Sequence, residues 1–226
     1  MQREPAVSPG TEPKGPVGPG RNPQRPTAPG GAGRVIAGVA RGRRLAAPGA
    51  GTRPLSDRVK QSLFAILEPE IRGRAFLDLF AGSGAGGIEA LSRGAASAVF
   101  VEKHPGAQHM VERNLRTSSL LGSRARIVGK DVVAWLATAE AAQGFAAILV
   151  DPPYDSPDLL RRSLEAIAAA GAGAILAPDG VAIAKHFLKA APEPRIGLLR
   201  SDREERFGDT GLTFYRWTAA EGEENR

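Results

Sequence analysis

The stretch VDPPYDSPDL, Val150–Leu159, ends an apolar run with a carboxylate, two imino acids and a phenol. Pro152 and Pro153 fix two φ angles and remove two backbone donors, and each pushes the residue before it out of helical geometry. Such a turn holds the Asp151 carboxylate, the Pro152 carbonyl and the Tyr154 ring in a fixed relation. The exocyclic amine of a nucleobase needs a set of this kind. Its lone pair is delocalised into the ring, so it is a poor nucleophile. Two acceptors aimed at its two N–H groups draw the nitrogen toward tetrahedral geometry and localise the lone pair. Asp151 supplies one acceptor and the carbonyl of Pro152, held by Pro153, the other. Tyr154 offers a face on which a base can stack, a contact contributing about 1–3 kcal/mol. Positioning and preorganised charge do the work, no metal is needed, and the base must leave its stack. Asp151, Pro152, Pro153 and Tyr154 are therefore the candidate catalytic residues.

A second constellation lies upstream. FLDLFAGSGAGGIEAL places Gly82, Gly84 and Gly87 between a strand and a helix, where glycines let backbone approach a ligand and let the helix pack on the strand. Glu102 follows about twenty residues on, where an acid accepts from ribose hydroxyls. Both features fit NAD(P) and also S-adenosylmethionine. Asp78 separates them: a carboxylate just before the loop repels a pyrophosphate and suits a ligand carrying an ammonium and a sulfonium. Nothing in hydride transfer calls for the Asp–Pro–Pro–Tyr turn either. Asp131, in VGKDVVAWL, can accept from an adenine amino group or cap the helix it precedes, and both roles are compatible. Trp135 and Leu136 read as core.

The elements that position these residues alternate. RVIAGVARGRRL suggests a short β-hairpin around Gly38 and Gly42. TRPLSDRVKQSLFAIL reads as a helix capped by Ser56 or Asp57. Strands are then expected at AFLDLFA, SAVFVE, ARIVG, FAAILVD and GVAIAKHF. The intervening helices include one from about Asp131 to Ala142, and a closing hairpin turns at 208–211. Strands separated by helices imply an α/β fold with a mostly parallel, seven-stranded sheet wound on both faces. Its ligands sit at the carboxyl ends of the strands near the switch point.

Composition bounds the rest. The 226 residues contain no cysteine and three histidines, which argues against disulfides, thiol nucleophiles and structural zinc. No run approaches a membrane span, and the N-terminus lacks the apolar core of a signal peptide, so a cytoplasmic monomer is expected. Residues 1–33 hold eight Pro and seven Gly and read as a disordered extension, as do residues 218–226. Residues 34–60 carry seven Lys or Arg against one acid, while residues 61–217, the main domain, sit in a stretch that is close to neutral. A localised positive field ahead of the site attracts polyanions.

RVIAGVARGRRL, TRPLSDRVKQSLFAIL, LDLFAGSGAGGIEALSRGA, VDPPY and ERFGDTGLTFY occur in this order from Arg34 to about Trp217. Together they resemble the bacterial RsmD-type 16S rRNA (guanine-N2)-methyltransferases. The resemblance implies a Rossmann-like class I fold with a small N-terminal hairpin and S-adenosylmethionine as donor. It implies guanine-966 of 16S rRNA in the small ribosomal subunit as acceptor. By motif match it implies Asp78, Phe80, Gly82, Gly84, Glu102, Lys103, Asp131 and Val132 at the cofactor, with Thr52–Asp57 bordering its methionine end. Arg41, Arg43, Arg44, Arg53 and Arg58 are implied as RNA contacts. The 1–33 extension departs from the family pattern. Alternatives remain: another amino-methyltransferase acting on adenine or cytosine of RNA or DNA, an NAD(P) oxidoreductase, or a non-catalytic RNA-binding protein.

Overall fold

A computed structural model describes residues 33–47, 55–153 and 156–218. The two terminal segments expected to be disordered, Gly33 and Thr218 apart, lie outside the described residues.

The expected alternation is present. Helix α1 (Asp57–Ile71) precedes β1 (Ala75–Leu79), α2 (Ala85–Ser92), β2 (Ser97–Val101) and α3 (Pro105–Thr117). Then come β3 (Ala125–Val128), α4 (Val132–Leu136), β4 (Phe145–Val150), α5 (Pro157–Ala169) and β5 (Leu176–Phe187). The chain closes with β6 (Arg195–Ile196), β7 (Leu199–Phe207) and β8 (Thr210–Trp217). Ser56 caps α1, its hydroxyl accepting from the Val59 N–H, and Pro105 opens α3, where its missing donor costs nothing.

The sheet has eight strands in the order β3-β2-β1-β4-β5-β8-β7-β6, not the seven expected. The additional strand is β6, two residues pairing Arg195 with Arg200 and Ile196 with Leu199 around Gly197 at φ +57°. Two residues are too few to show a period of two in sequence. Strands β1 to β5 run parallel, and β5 passes to the antiparallel β8 and β7.

Every residue of β4 is buried, as expected of a central parallel strand covered on both faces. Its side chains alternate between two cores. Ala147 and Leu149 join Phe64 and Leu67 of α1 and Ile88 of α2, whereas Ile148 and Val150 join Trp135 of α4 and Leu160 and Leu164 of α5. Trp135 and Leu136 are core, as expected.

Two local expectations change. The helix expected over residues 131–142 is broken: α4 ends at Leu136, and a 3₁₀ turn covers Ala139–Ala141. The Thr138 hydroxyl donates to the Trp135 carbonyl at 2.7 Å, the local competition that disfavours Thr inside helices. The N-terminal hairpin is reduced to a single antiparallel bridge, Arg34 to Arg44. The Val35, Gly42 and Leu45 N–H groups still donate across the turn, to the carbonyls of Arg43, Val35 and Gly33, and four other donors go to α2. The Ile36 and Ala37 N–H groups donate to Glu89 at 2.8 and 3.1 Å, the Val39 N–H to the Ser92 carbonyl and the Ala40 N–H to the Ser92 hydroxyl at 2.9 Å each. Gly38 makes the close approach possible, since a Cβ there would lie 1.8 Å from the Ser92 carbonyl oxygen.

Candidate active site

Strands β1 and β4 are neighbours, with Leu79 opposite Val150. The segments that follow them, 80–84 and 151–153, therefore leave the sheet side by side at the switch point, where parallel sheets bind ligands. The Asp151 N–H points back to the Leu79 carbonyl at 3.5 Å. Phe80 follows β1 with φ +60°, a left-handed conformation that is strained for a bulky residue. Gly82 and Gly84 follow at φ +56° and +76°.

Asp78 is inside β1, paired on one side with Phe100 and on the other with Leu149. It is 3% exposed. One oxygen accepts from the Gly87 N–H at 2.7 Å. A Cβ on Gly86 would stand 3.0 Å from the Asp78 carboxylate and 2.8 Å from Leu149, and one on Gly87 would strike the Phe100 ring at 2.3 Å. These glycines let α2 sit down on the acid. Burial pushes the Asp78 carboxyl up to about 8, the Gly87 N–H works against that, and the charges of Asp151 and Glu102 add to it.

Glu102 ends β2 and is 8% exposed. Its two oxygens accept from the Gly82 N–H at 3.0 Å and the His104 N–H at 2.9 Å. It thus ties the glycine loop to the end of β2 while each oxygen retains a further lone pair. Lys103 beside it is exposed. Asp131 caps α4 by accepting from the Ala134 N–H at 3.1 Å and is exposed, while Val132 behind it is buried.

On the opposite lip, Asp151 keeps one-fifth of its side chain exposed and accepts at Oδ1 from Lys185 Nζ at 2.7 Å. Desolvation pushes its carboxyl above the ordinary range, and the Lys185 ammonium pulls it back. Pro152 is buried and Pro153 exposed. The Pro153 carbonyl is taken by the Ser156 N–H at 3.0 Å, whereas no backbone donor among the described residues bonds to the Pro152 carbonyl. Tyr154 lies outside the described residues.

The basic segment stands on the same helix as the glycine loop. Arg41, Arg43 and Arg44 are exposed on the loop that Glu89 and Ser92 pin to α2, and Arg58 is exposed on α1. Arg53 and the Thr52–Pro54 part of the 52–57 stretch fall outside the described residues. Two members of the basic cluster are engaged at Asp57: Lys60 turns inward and is fully buried, donating to the Arg34 carbonyl and lying 3.4 Å from Asp57, and Arg34, still exposed, pairs with Asp57 at 3.2 Å.

Sequence reasoning misses two residues. Lys185 is one; its signal is a single cation in an apolar strand. Asn114 is the other. It is 1% exposed on α3, accepts from the Ala46 N–H, and donates to the carbonyls of Ala46 and Ser83 at 2.8 Å each. It joins the exit of the basic loop to the glycine loop.

A family model described as "Conserved hypothetical protein 95" matches residues 33–216. YlbH of Bacillus subtilis, a candidate rRNA methyltransferase by name, is 38% identical over 185 residues, covering 81% of this chain and 98% of YlbH. Ribosomal RNA small subunit methyltransferase D of Escherichia coli is 41% identical over 122 residues, 54% of this chain and 60% of that relative. Among solved structures, yhhF of Escherichia coli, a candidate methyltransferase, superposes with a TM-score of 0.71 at 30% identity over 83% of this chain and 98% of that one.

Proposed function

Because this chain belongs to the RsmD-type family of small-subunit rRNA methyltransferases, we propose that it methylates the exocyclic N2 amine of a guanine in 16S rRNA, with guanine-966 as the site. The observation that carries the proposal is the pairing of two lips over one crevice. On one lip a desolvated Asp78 lies behind close-packed glycines, and on the other Asp151 stands at the head of a proline-fixed turn.

The donor side fits S-adenosylmethionine. Asp78 is a buried acid with one N–H partner and apolar strand neighbours, so a cationic ammonium restores the charge balance that burial disturbs. Glu102 has lone pairs for ribose hydroxyls. Asp131 and Val132 edge the adenine side, and Phe80, Gly82, Gly84 and Lys103 complete the binding set. When bound, S-adenosylmethionine supplies an electrophilic methyl on a sulfonium. On the acceptor side, Asp151 and the Pro152 carbonyl accept the two N–H groups of the amine and localise its lone pair. Pro153 fixes that carbonyl, and Tyr154 stacks on the base.

The RNA reaches the crevice along the basic loop. Arg41, Arg43 and Arg44, with Arg53 and Arg58, contact phosphates, which position the substrate without reading its sequence. The loop's bonds to Glu89 and Ser92 give those contacts a rigid mount on α2. Replacing Arg41, Arg43 and Arg44 together by Ala is expected to weaken binding to small subunits and to lower the slope of log affinity against log salt by about 2–3. An unchanged slope contradicts the assignment.

The test of the whole is direct. The protein is incubated with labelled S-adenosylmethionine and small subunits from a strain lacking the enzyme, and the modified nucleoside is mapped. N2-methylguanine at position 966 is expected. Label in an adenine or cytosine, or none in RNA, overturns the proposal.

A further inference from the structure

Lys185 is the single cation of the strand sequence GVAIAKHF, and it is 4% exposed. Burying an ammonium costs several kcal/mol unless a partner meets it. The register supplies that partner. Strand β5 pairs with β4 so that Ala184 stands opposite Val150. The next residue on β5 therefore meets the first residue beyond β4, and Lys185 Nζ lies 2.7 Å from Asp151 Oδ1. We infer that Lys185 is the positioning residue of the catalytic turn: by holding Oδ1 it keeps the Asp151 carboxylate ionised and leaves Oδ2 to accept from the substrate amine. The inference rests on the reaction proposed above.

The chemistry requires an ion at this point. A protonated Asp151 presents a hydrogen to the amine where the reaction needs an acceptor. Among the described residues, the charged groups around Asp151 are Lys185 on β5 and Asp78 on β1, with Glu102 at the end of β2 next to Asp78. Partial burial favours protonation, and Asp78, itself largely protonated near neutral pH, adds like charge only where it ionises. Lys185 alone opposes them. His186, adjacent in sequence, takes no part: its ring bonds to the Thr213 hydroxyl and the Phe187 carbonyl. A lysine here also fixes the carboxylate's rotation, because among the described residues one oxygen is committed and the other is not.

The experiment compares wild type, Lys185→Met and Lys185→Arg. The readout in the donor-free protein is the carboxyl carbon shift of Asp151, assigned by its loss in Asp151→Asn and followed against pH. Lys185→Met is expected to raise the midpoint by about 1–2 units, since an adjacent opposite charge lowers an acid by about that much, and Lys185→Arg to keep it near the wild-type value. In single turnover with small subunits, the acid limb of the Lys185→Met rate profile should move up by the same amount. An unmoved midpoint, or a loss of rate equal at every pH, overturns the inference. Failure of wild type to methylate small subunits instead overturns the reaction on which it rests, while the carboxyl titration still reports on Lys185.

Discussion

Asp78 and Asp151 stand at neighbouring strand ends, and the fold treats them in opposite ways. Asp78 has Phe100 and Leu149 as its strand partners, so among the described residues only the Gly87 N–H answers its charge. Asp151 has a lysine delivered by β5. Both carboxyls are pushed up by desolvation, but among the described residues only Asp151 has a cation pulling it back. An acid without a resident cation gains most when a cationic ligand arrives. An acid that already has one is drawn toward the ionised form that accepts N–H groups. In the proposed reaction the same side-chain type thus serves a donor pocket and a catalytic turn, and strand neighbours decide which.

The harshest way to break this contrast is Asp151→Asn. It removes the charged acceptor but leaves the donor lip untouched. Methyl transfer is expected to fall about 10²–10³-fold, the scale for losing one preorganised polar group, while calorimetry finds donor affinity within about threefold of wild type. Full turnover removes Asp151 from the chemistry.

Asp78→Asn should reverse that pattern. The neutral amide can still accept from Gly87 but cannot balance an ammonium, so donor affinity is expected to fall about 10–100-fold, in line with a lost charge-assisted hydrogen bond. The donor-free protein should gain stability. The folded-state carboxyl of Asp78 sits near 8, against 3.8 for an unperturbed aspartate. The folded state therefore holds its proton more tightly, a contribution fully present below about pH 4 and lost as pH rises toward 8. Urea unfolding from pH 5 to 8 should show a decline in wild type that is shallower in Asp78→Asn.

The mildest test changes only pH. Below about 7.5, beneath the titration of the donor's own α-amino group, Asp78 in the free protein is largely protonated and gives up that proton when the ammonium binds. Donor affinity should climb from pH 6 to 7.5 by at most about tenfold per unit. Calorimetry in two buffers of different ionisation enthalpy should show release of about one proton at pH 6.5. Uptake of a proton, or no exchange, removes Asp78 as the ammonium's partner.

The proposed donor pocket is more legible in the sequence than the second half of the proposed catalytic lip. Gly82, Gly84, Asp78 and Glu102 declare themselves by local spacing, and the turn at Asp151 by its two prolines. The Asp151–Lys185 pair is separated by 34 residues, and only the β4–β5 register brings its members together. The lone lysine in an apolar strand marks a need for an acid without saying which one. The basic loop is likewise legible in charge but not in form. Its Ile36, Ala37, Val39 and Ala40 N–H groups are claimed by Glu89 and Ser92 on α2, whose orientation depends on how α2 packs. Strand β6 is too short to carry a pattern.

A structure with S-adenosylmethionine bound tests the shared crevice most directly. The ammonium is expected within hydrogen-bond distance, about 3 Å, of an Asp78 oxygen, with the methyl directed at Asp151 and Pro152. A donor whose methyl faces away from that turn, or whose ammonium lies far from Asp78, contradicts it.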